Sequence, residues 1–151
     1  MRIFTLALVL VTPYLAAAAE NSFVDPMDEP TLGENTLRSK VMDLAGAFSN
    51  DDYKIRDGFW FGAVEAARPK WIEVNLFAGN HYWFAAAAQP SVHKMGMSVL
   101  DATGNAVPGE NYESGNIIAV GVAPEKTGRY YIKLQIFEGE TANFCLLYWY
   151  K

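Results

Sequence analysis

The spacing of apolar residues changes along the chain from a helical period to a strand period. Between residues 36 and 50, an apolar residue recurs every three or four positions: Leu37, Val41, Leu44 and Phe48. Such a stripe predicts one amphipathic helix, with Asn35 or Thr36 as its cap and the segment Ser49 to Asp52 as its end. The apolar side of this helix must be buried against another part of the protein.

From Phe59 onward, apolar and polar residues alternate in short segments separated by turn residues. Seven segments have this strand-like pattern: FWFGAV, WIEVNLF, HYWFAAA, MGMSVLD, NIIAVGV, RYYIKLQIF and NFCLLYWY. Strands at this spacing are typical of an antiparallel sandwich. The sequence therefore predicts an all-β sandwich domain of about seven to eight strands over residues 56–151, preceded by the helix at 36–50.

The stretch WIEVNLFAGNHYWFAAA, residues 71–87, predicts a hairpin with the three-residue loop Ala78-Gly79-Asn80. Opposed residues of a hairpin share a face, and this loop length matches apolar with apolar positions. The predicted pairs are Phe77–His81, Leu76–Tyr82, Val74–Phe84 and Ile72–Ala86. Tyr82 and Phe84 then belong to the core, whereas Trp83 points to the other face.

Five aromatic residues lie on strand faces opposite to the predicted core: Trp71, Phe77, Trp83, Tyr131 and Trp149. An exposed apolar patch of this kind marks an interface or a ligand site. Two explanations stay open. Either the helix at 36–50 covers these residues, or a partner binds them. The segment NFCLLYWY is apolar on both faces, as expected of a strand that is covered on both sides.

The N-terminus predicts export. Residues 1–19 have one basic residue, Arg2, followed by an apolar run and a small-residue cleavage pattern, which is the layout of a signal peptide. Residues 20–35 are rich in Pro, Asp, Glu and Asn and predict a flexible leader. The mature protein is expected to be secreted or periplasmic, without a membrane span after cleavage.

Charge and motifs exclude several classes of function. The formal net charge is −5, whereas a protein that binds nucleic acid usually has an excess of basic residues. The single cysteine, Cys145, cannot form an internal disulfide, and its apolar neighbours predict a buried, inert thiol. His81 and His93, the two histidines, lie in no nucleophile or metal motif, so the chain is predicted not to be an enzyme.

Calcium is the cofactor that the acidic segments would admit, because its ligands are hard oxygens on loops. The candidate ligands are Asp51, Asp52, Asp57 and Asp101. The segments SNDDYKIRDG and GENYESGN do not match the calcium-loop pattern, so no cofactor is predicted. The triplet Arg56-Asp57-Gly58 is interpreted as an ion pair or an Asp-Gly turn.

Three local patterns resemble the bacterial pre-peptidase C-terminal domain family: VNLFAGNHYWF, MGMSVLDATGN and VAPEKTGRYYIKL. The resemblance covers roughly Phe59 to Tyr150 and rests on turns and core positions. It implies a jelly-roll-like β-sandwich that serves as an accessory domain of secreted enzymes. Some relatives of this domain bind calcium or a polymer such as collagen. The chain departs from the family at His93-Lys94, where many members have an acidic pair.

Together these features predict an exported, non-enzymatic binding or accessory module of the cell envelope or the extracellular space. Its partner would be a protein or a polysaccharide, bound through loops or through the outward aromatic residues. The alternatives are a purely structural envelope protein that self-associates through the same face, and a calcium-binding accessory domain.

Overall fold

The computed structural model of the protein describes residues 22–24, 31–48, 52–56 and 59–151. Within these ranges the chain forms one helix, α1 (Leu32–Phe48), and ten strands. The strands are β1 (Ser22–Val24), β2 (Lys54–Ile55), β3 (Phe59–Val64), β4 (Lys70–Leu76), β5 (Tyr82–Ala88), β6 (Val92–Asp101), β7 (Gly109–Ser114), β8 (Ile117–Val122), β9 (Gly128–Gly139) and β10 (Ala142–Tyr150).

The strands form two facing antiparallel sheets. The first has seven strands in the order β1-β3-β10-β5-β8-β7, with β2 paired to the end of β10. The second has three strands in the order β4-β9-β6. Apolar residues of both sheets form one core between them. The described residues thus form an all-β sandwich with a single helix, as predicted, and each of the seven predicted segments is a strand.

The helix packs on the side of the seven-stranded sheet that faces away from the three-stranded sheet. The central strands β5 and β10 are therefore buried on both faces, which confirms the prediction for NFCLLYWY. On β5, Tyr82 and Phe84 enter the core between the sheets, whereas Ala85 and Ala87 face the helix. These small side chains let the helix approach closely, and Val41 is fully buried against them.

The start of α1 differs from the prediction. The helix begins at Leu32 because Thr31 and Glu34 form a capping box. The Thr31 N–H donates to the Glu34 carboxylate at 2.6 Å, and the Glu34 N–H donates to the Thr31 hydroxyl at 3.3 Å. The predicted caps at Asn35 and Thr36 are therefore wrong.

The predicted flexible leader at 20–35 is also wrong in part, since it contains β1 and the first turn of α1. Strand β1 pairs with β3, which gives its backbone groups hydrogen-bonding partners. The predicted signal peptide at 1–19 lies outside the described residues.

The predicted hairpin between β4 and β5 is wrong, because these strands lie in different sheets. Strand β4 pairs with β9, and β5 lies between β10 and β8. The loop Ala78-Gly79-Asn80 thus connects the two sheets, with Gly79 at the left-handed φ of 90°. The cross-strand pairs predicted for the hairpin therefore do not form; they were Phe77–His81, Leu76–Tyr82, Val74–Phe84 and Ile72–Ala86.

The faces assigned to these residues are nevertheless correct. Ile72, Val74 and Leu76 on β4 and Tyr82 and Phe84 on β5 all point into the core between the sheets. Alternation assigns a face to each residue of a strand. The face assigned to a residue is the same whether its strand pairs with the other strand edge to edge or faces it from the opposite sheet.

Candidate functional site

The structure divides the five predicted outward aromatic residues into two groups. Trp83 and Trp149 are buried beneath α1, where the Phe48 ring lies 4.9 Å from the Trp83 ring and 5.6 Å from the Trp149 ring. These two tryptophans therefore do not belong to a partner surface. The helix covers them because its apolar stripe packs on the only side of the seven-stranded sheet that the three-stranded sheet leaves open.

The other three belong to the three-stranded sheet or lie beside it. Trp71 is on β4, Tyr131 is on β9, and Phe77 directly follows β4. Trp71 is 45% exposed and Phe77 is 59% exposed, whereas Tyr131 is half-buried. In the described ranges, α1 packs against β5 and β10 and leaves this sheet uncovered. We call the side of the sheet that points away from the core the outer face; its residues are Trp71, Glu73, Asn75, Gly96, Ser98, Leu100, Arg129, Tyr131, Lys133, Gln135 and Phe137.

Strand register places charged residues beside the aromatic rings of the outer face. Trp71 is paired with Lys133, and Tyr131 is paired with Glu73. The Lys133 ammonium lies over the Trp71 ring, 5.7 Å from its centroid, a cation–π arrangement. Trp71 and Tyr131 are therefore diagonal neighbours on adjacent strands, close enough for one ligand to contact both rings.

Arg129 links the charged and aromatic parts of the outer face. Its guanidinium lies 3.2 Å from the Glu73 carboxylate. A hydrogen bond to Tyr131, and secondarily the negative charge of Glu73, raise the pKa of Arg129 above its usual value. The ion pair with Glu73 places a guanidinium with further N–H donors beside the aromatic residues of the outer face.

Phe137 is a member of the outer face that the sequence analysis missed. It is 56% exposed, and its ring lies against Gly96, where an added Cβ would come within 2.3 Å of the ring. A shallow cleft of about 250 Å³ beside it is also lined by Lys133 and Gln135, and by Asn111 from β7. The alternation of β9 placed Phe137 on the same face as Tyr131, so its parity was the available signal.

The structure describes two of the four predicted calcium ligands, Asp52 and Asp101. Asp51 and Asp57 lie outside the described residues, and Asp52 has a left-handed φ of 62°. The Asp101 carboxylate accepts hydrogen bonds from the Thr103 hydroxyl at 2.6 Å and from the Asn105 N–H at 3.0 Å. These bonds lower the pKa of Asp101 and commit its Oδ1 atom to the turn after β6. Among the described residues, no three His, Cys, Asp or Glu side chains lie close enough to hold a metal ion.

Cys145 is buried, and the side chain and backbone of His81 are both hydrogen-bonded within the protein. Cys145 is buried between the seven-stranded sheet and α1, and burial raises the pKa of its thiol to about 12, so the thiol is protonated at neutral pH. The His81 Nδ1 atom forms a hydrogen bond with the Tyr53 hydroxyl. The backbone of His81 also pairs with that of Lys151, through bonds of 2.8 and 3.0 Å.

A second concave site lies where the loop 78–80 crosses from one sheet to the other. It has a volume of about 400 Å³ and is lined by Arg56, Asn75, Phe77, Asn80, Tyr82, Tyr148 and Tyr150. We call it the tyrosine pocket. No pattern along the chain predicts it, because it is built from β4, β5, β10 and the residue after β2, which only the tertiary fold brings together.

A function for this chain has to be argued from its fold and from the outer face and the tyrosine pocket. Within the described residues, no helix combines the length and apolar character needed to span a membrane. No model of a known protein family matches the chain, and no curated protein is similar to it at a significant level.

Proposed function

We propose that this protein is a non-catalytic binding module that holds a polysaccharide on the outer face of its three-stranded sheet. The observation that carries the proposal is a sheet face that no described segment of the chain covers, on which exposed aromatic rings alternate with charged and amide side chains. The other side of the sandwich already has its apolar face buried under α1. An exposed aromatic face that the protein's own helix leaves open is suited to a ligand.

The chemistry of the outer face favours a sugar polymer over a protein partner. The centre of a protein–protein interface is depleted of charged residues. Here Glu73, Arg129 and Lys133 lie directly between or beside the rings of Trp71 and Tyr131. A sugar ring has an apolar C–H face and a rim of hydroxyl groups, so it needs aromatic faces and hydrogen-bonding groups side by side.

The shape of the site supports a polymeric ligand. Strand β9 runs through the middle of the sheet and places Tyr131, Lys133, Gln135 and Phe137 on one side at every second position. Consecutive positions on the same side of a strand are about 7 Å apart, so these four residues extend over roughly 20 Å. A row of this length matches several linked sugar units better than a single one. The predicted export of the protein would place it where such polymers occur.

The test is binding of the protein to a panel of soluble neutral and acidic polysaccharides, measured by affinity electrophoresis and isothermal titration calorimetry. Trp71→Ala is expected to weaken binding about tenfold, because it removes a stacking surface. Tyr112→Ala is the matched control: Tyr112 is an exposed aromatic residue on the edge strand β7, outside the outer face. This control should bind as the unmodified protein does.

Two results would overturn the proposal. One is the absence of binding to every polysaccharide of the panel. The other is light scattering that shows a dimer which Trp71→Ala dissociates, because the outer face would then be an interface between two copies of the chain.

A further inference from the structure

The cleft beside Phe137 lies at an edge of the sandwich, where both sheets contribute to it. It has a volume of about 250 Å³. Strands β6 and β7 are the edge strands of their sheets, so side chains from the two sheets can meet there. We call it the Phe137 cleft; it combines Gln135 and Phe137 from β9 with Asn111 and Glu113 from β7.

Strand register turns the two β7 residues toward the cleft. Asn111 is paired with Val120 and Glu113 with Ile118, and both partners on β8 belong to the core between the sheets. Opposed residues of two paired strands share a face. Asn111 and Glu113 therefore lie on the side of β7 that is turned toward the three-stranded sheet, and they are exposed.

Gly96 determines where the aromatic ring of the cleft lies. The Phe137 ring is against this glycine, and its Cε2 atom is 2.3 Å from the position of an added Cβ. A residue with a side chain at position 96 would displace the ring. The exposed Phe137 ring thus has a defined place on the outer face, where it can pack against the apolar C–H face of a sugar ring.

The Phe137 cleft is continuous with the rest of the outer face. Trp71, Lys133 and Ser98 form one row across the three strands. Lys133 lines the cleft, while its ammonium lies 5.7 Å from the centroid of the Trp71 ring on the neighbouring strand. A polysaccharide stacked on Trp71 can therefore place a further unit in the cleft.

The polar groups of the cleft are suited to hydroxyl groups. The amides of Asn111 and Gln135 and the hydroxyl of Ser98 can each donate and accept hydrogen bonds. None of these three side chains is hydrogen-bonded to another residue in the described part of the chain. A sugar hydroxyl also donates and accepts, so it can use both capacities of each group.

The charge of the cleft narrows the class of sugar. The Glu113 carboxylate lines the cleft and forms no ion pair with a described residue. The Lys133 ammonium is directed to Trp71, on the side of β9 away from β6. A carboxylate only accepts hydrogen bonds, so Glu113 favours a ligand that donates them and repels one that carries a carboxylate of its own.

We infer that the Phe137 cleft binds an uncharged sugar unit of the polysaccharide, with the C–H face of the sugar on Phe137 and its hydroxyls at Asn111, Glu113 and Gln135. This inference rests on the proposed function and names the class of polymer, a neutral one. The outer face supplies stacking along the chain of sugars, and Glu113 discriminates against acidic polymers.

The test compares polysaccharides that share a backbone and differ in charge. Each neutral polysaccharide of the panel, among them dextran, pullulan and hydroxyethylcellulose, is measured beside its carboxymethylated form by calorimetry at low ionic strength. A backbone that binds is expected to bind at least about fivefold more tightly in its neutral form. Glu113→Gln should bring the two forms to within about twofold of each other, because it removes the repulsion.

Glu110→Gln is the matched control for charge. Glu110 is exposed on the same strand and is paired with Gly121, so it lies on the side of β7 that is turned away from the cleft. This variant loses the same charge as Glu113→Gln and should keep the preference for the neutral form. It separates the effect of the cleft from that of the net charge of the protein.

A second pair of variants tests the aromatic ring. Phe137→Ala is expected to weaken binding of the neutral polysaccharide about tenfold, because it removes the stacking surface. Gly96→Ala keeps the ring but moves it from its place, so it should weaken binding several-fold. The melting temperatures of all variants show whether a loss of binding reflects unfolding.

The outcomes separate this inference from the proposed function. Equal or tighter binding of acidic polysaccharides, still weakened in Trp71→Ala, would overturn the neutral assignment and leave the outer face as a polysaccharide site. A preference for the neutral form that persists in Glu113→Gln would overturn the role of the cleft. Tighter binding of glucosamine oligomers, lost in Glu113→Gln, would replace the neutral unit by a cationic one. Binding of no polysaccharide at all would overturn both proposals.

Discussion

Trp83 lies between two cross-strand neighbours of very different size, Trp149 on β10 and Gly121 on β8. The two tryptophans lie side by side under Phe48 of the helix, and the glycine leaves room for the Trp83 ring. An added Cβ at Gly121 would come within 2.7 Å of the Trp83 indole. At the scale of single residues, the packing under the helix therefore depends on Gly121, whose lack of a side chain makes room for Trp83.

Gly121→Ala is predicted to destabilise the protein by about 1–3 kcal/mol, because the Trp83 ring is held between the sheet and Phe48 and cannot move aside. The free energy of unfolding, measured by urea denaturation, tests this. Gly46→Ala is the matched comparison: Gly46 is exposed on α1, and a Cβ there meets nothing within 4 Å. This second substitution should stabilise the protein by about 0.5–1 kcal/mol. Equal effects of the two substitutions would contradict the packing described for Trp83.

At the scale of elements, α1 determines which aromatic residues remain exposed. Its buried positions Leu37, Val41 and Ala45 pack on the seven-stranded sheet and complete a second core, separate from the core between the sheets. The three-stranded sheet has no such cover in the described part of the chain. Trp71 and Trp83 have the same outward parity, and their different exposure results from the position of this one helix.

Val41→Asp is predicted to detach α1, because it places an unpaired carboxylate at a position with no solvent exposure. The expected loss of stability is roughly 3–5 kcal/mol. Tryptophan fluorescence should shift to longer wavelength as Trp83 and Trp149 become hydrated, while the β-sheet signal in circular dichroism persists.

Ser39→Asp introduces the same charge on the exposed side of α1 and serves as the control. It should leave the fluorescence unchanged. An unshifted fluorescence spectrum in folded Val41→Asp would show that the helix does not cover the tryptophans in solution.

At the scale of the whole molecule, the last strand joins the parts of the fold. Strand β10 pairs with β3, β5 and β2, and it contributes residues to both cores. Phe144 and Leu146 face the three-stranded sheet, whereas Cys145 and Leu147 face the helix. The chain therefore cannot complete either core before its C-terminal residues are present.

A chain that ends at Thr141 is predicted to lose cooperative unfolding, because both cores would be open and β3 and β5 would have unpaired edges. Circular dichroism during urea titration measures this. Tyr112→Ala, on the exposed edge strand β7, should change the free energy of unfolding by about 0.5 kcal/mol or less. A sharp transition in the truncated chain would show that β10 is dispensable for the fold.

Much of the fold could be predicted from local pattern, and most of the candidate site could not. The seven strand segments and the inward positions of Tyr82 and Phe84 follow from alternation, which is a property of neighbouring residues. Strand β7 was missed because its six residues are all exposed and show no alternation. The tyrosine pocket was missed because Arg56 and Tyr148 are far apart in sequence and meet only in the folded chain.

The class of the fold, the positions of the main strands, the amphipathic helix and the face to which each strand residue points all follow from the order of the residues. The placement of β4 and β5 in different sheets does not, nor does the position of α1, which covers Trp83 and Trp149 but leaves Trp71 and Phe77 exposed. The difference lies in the range of the interactions. Side-chain direction along a strand depends on adjacent residues, whereas strand pairing and helix docking depend on which distant surfaces bury the most apolar area together.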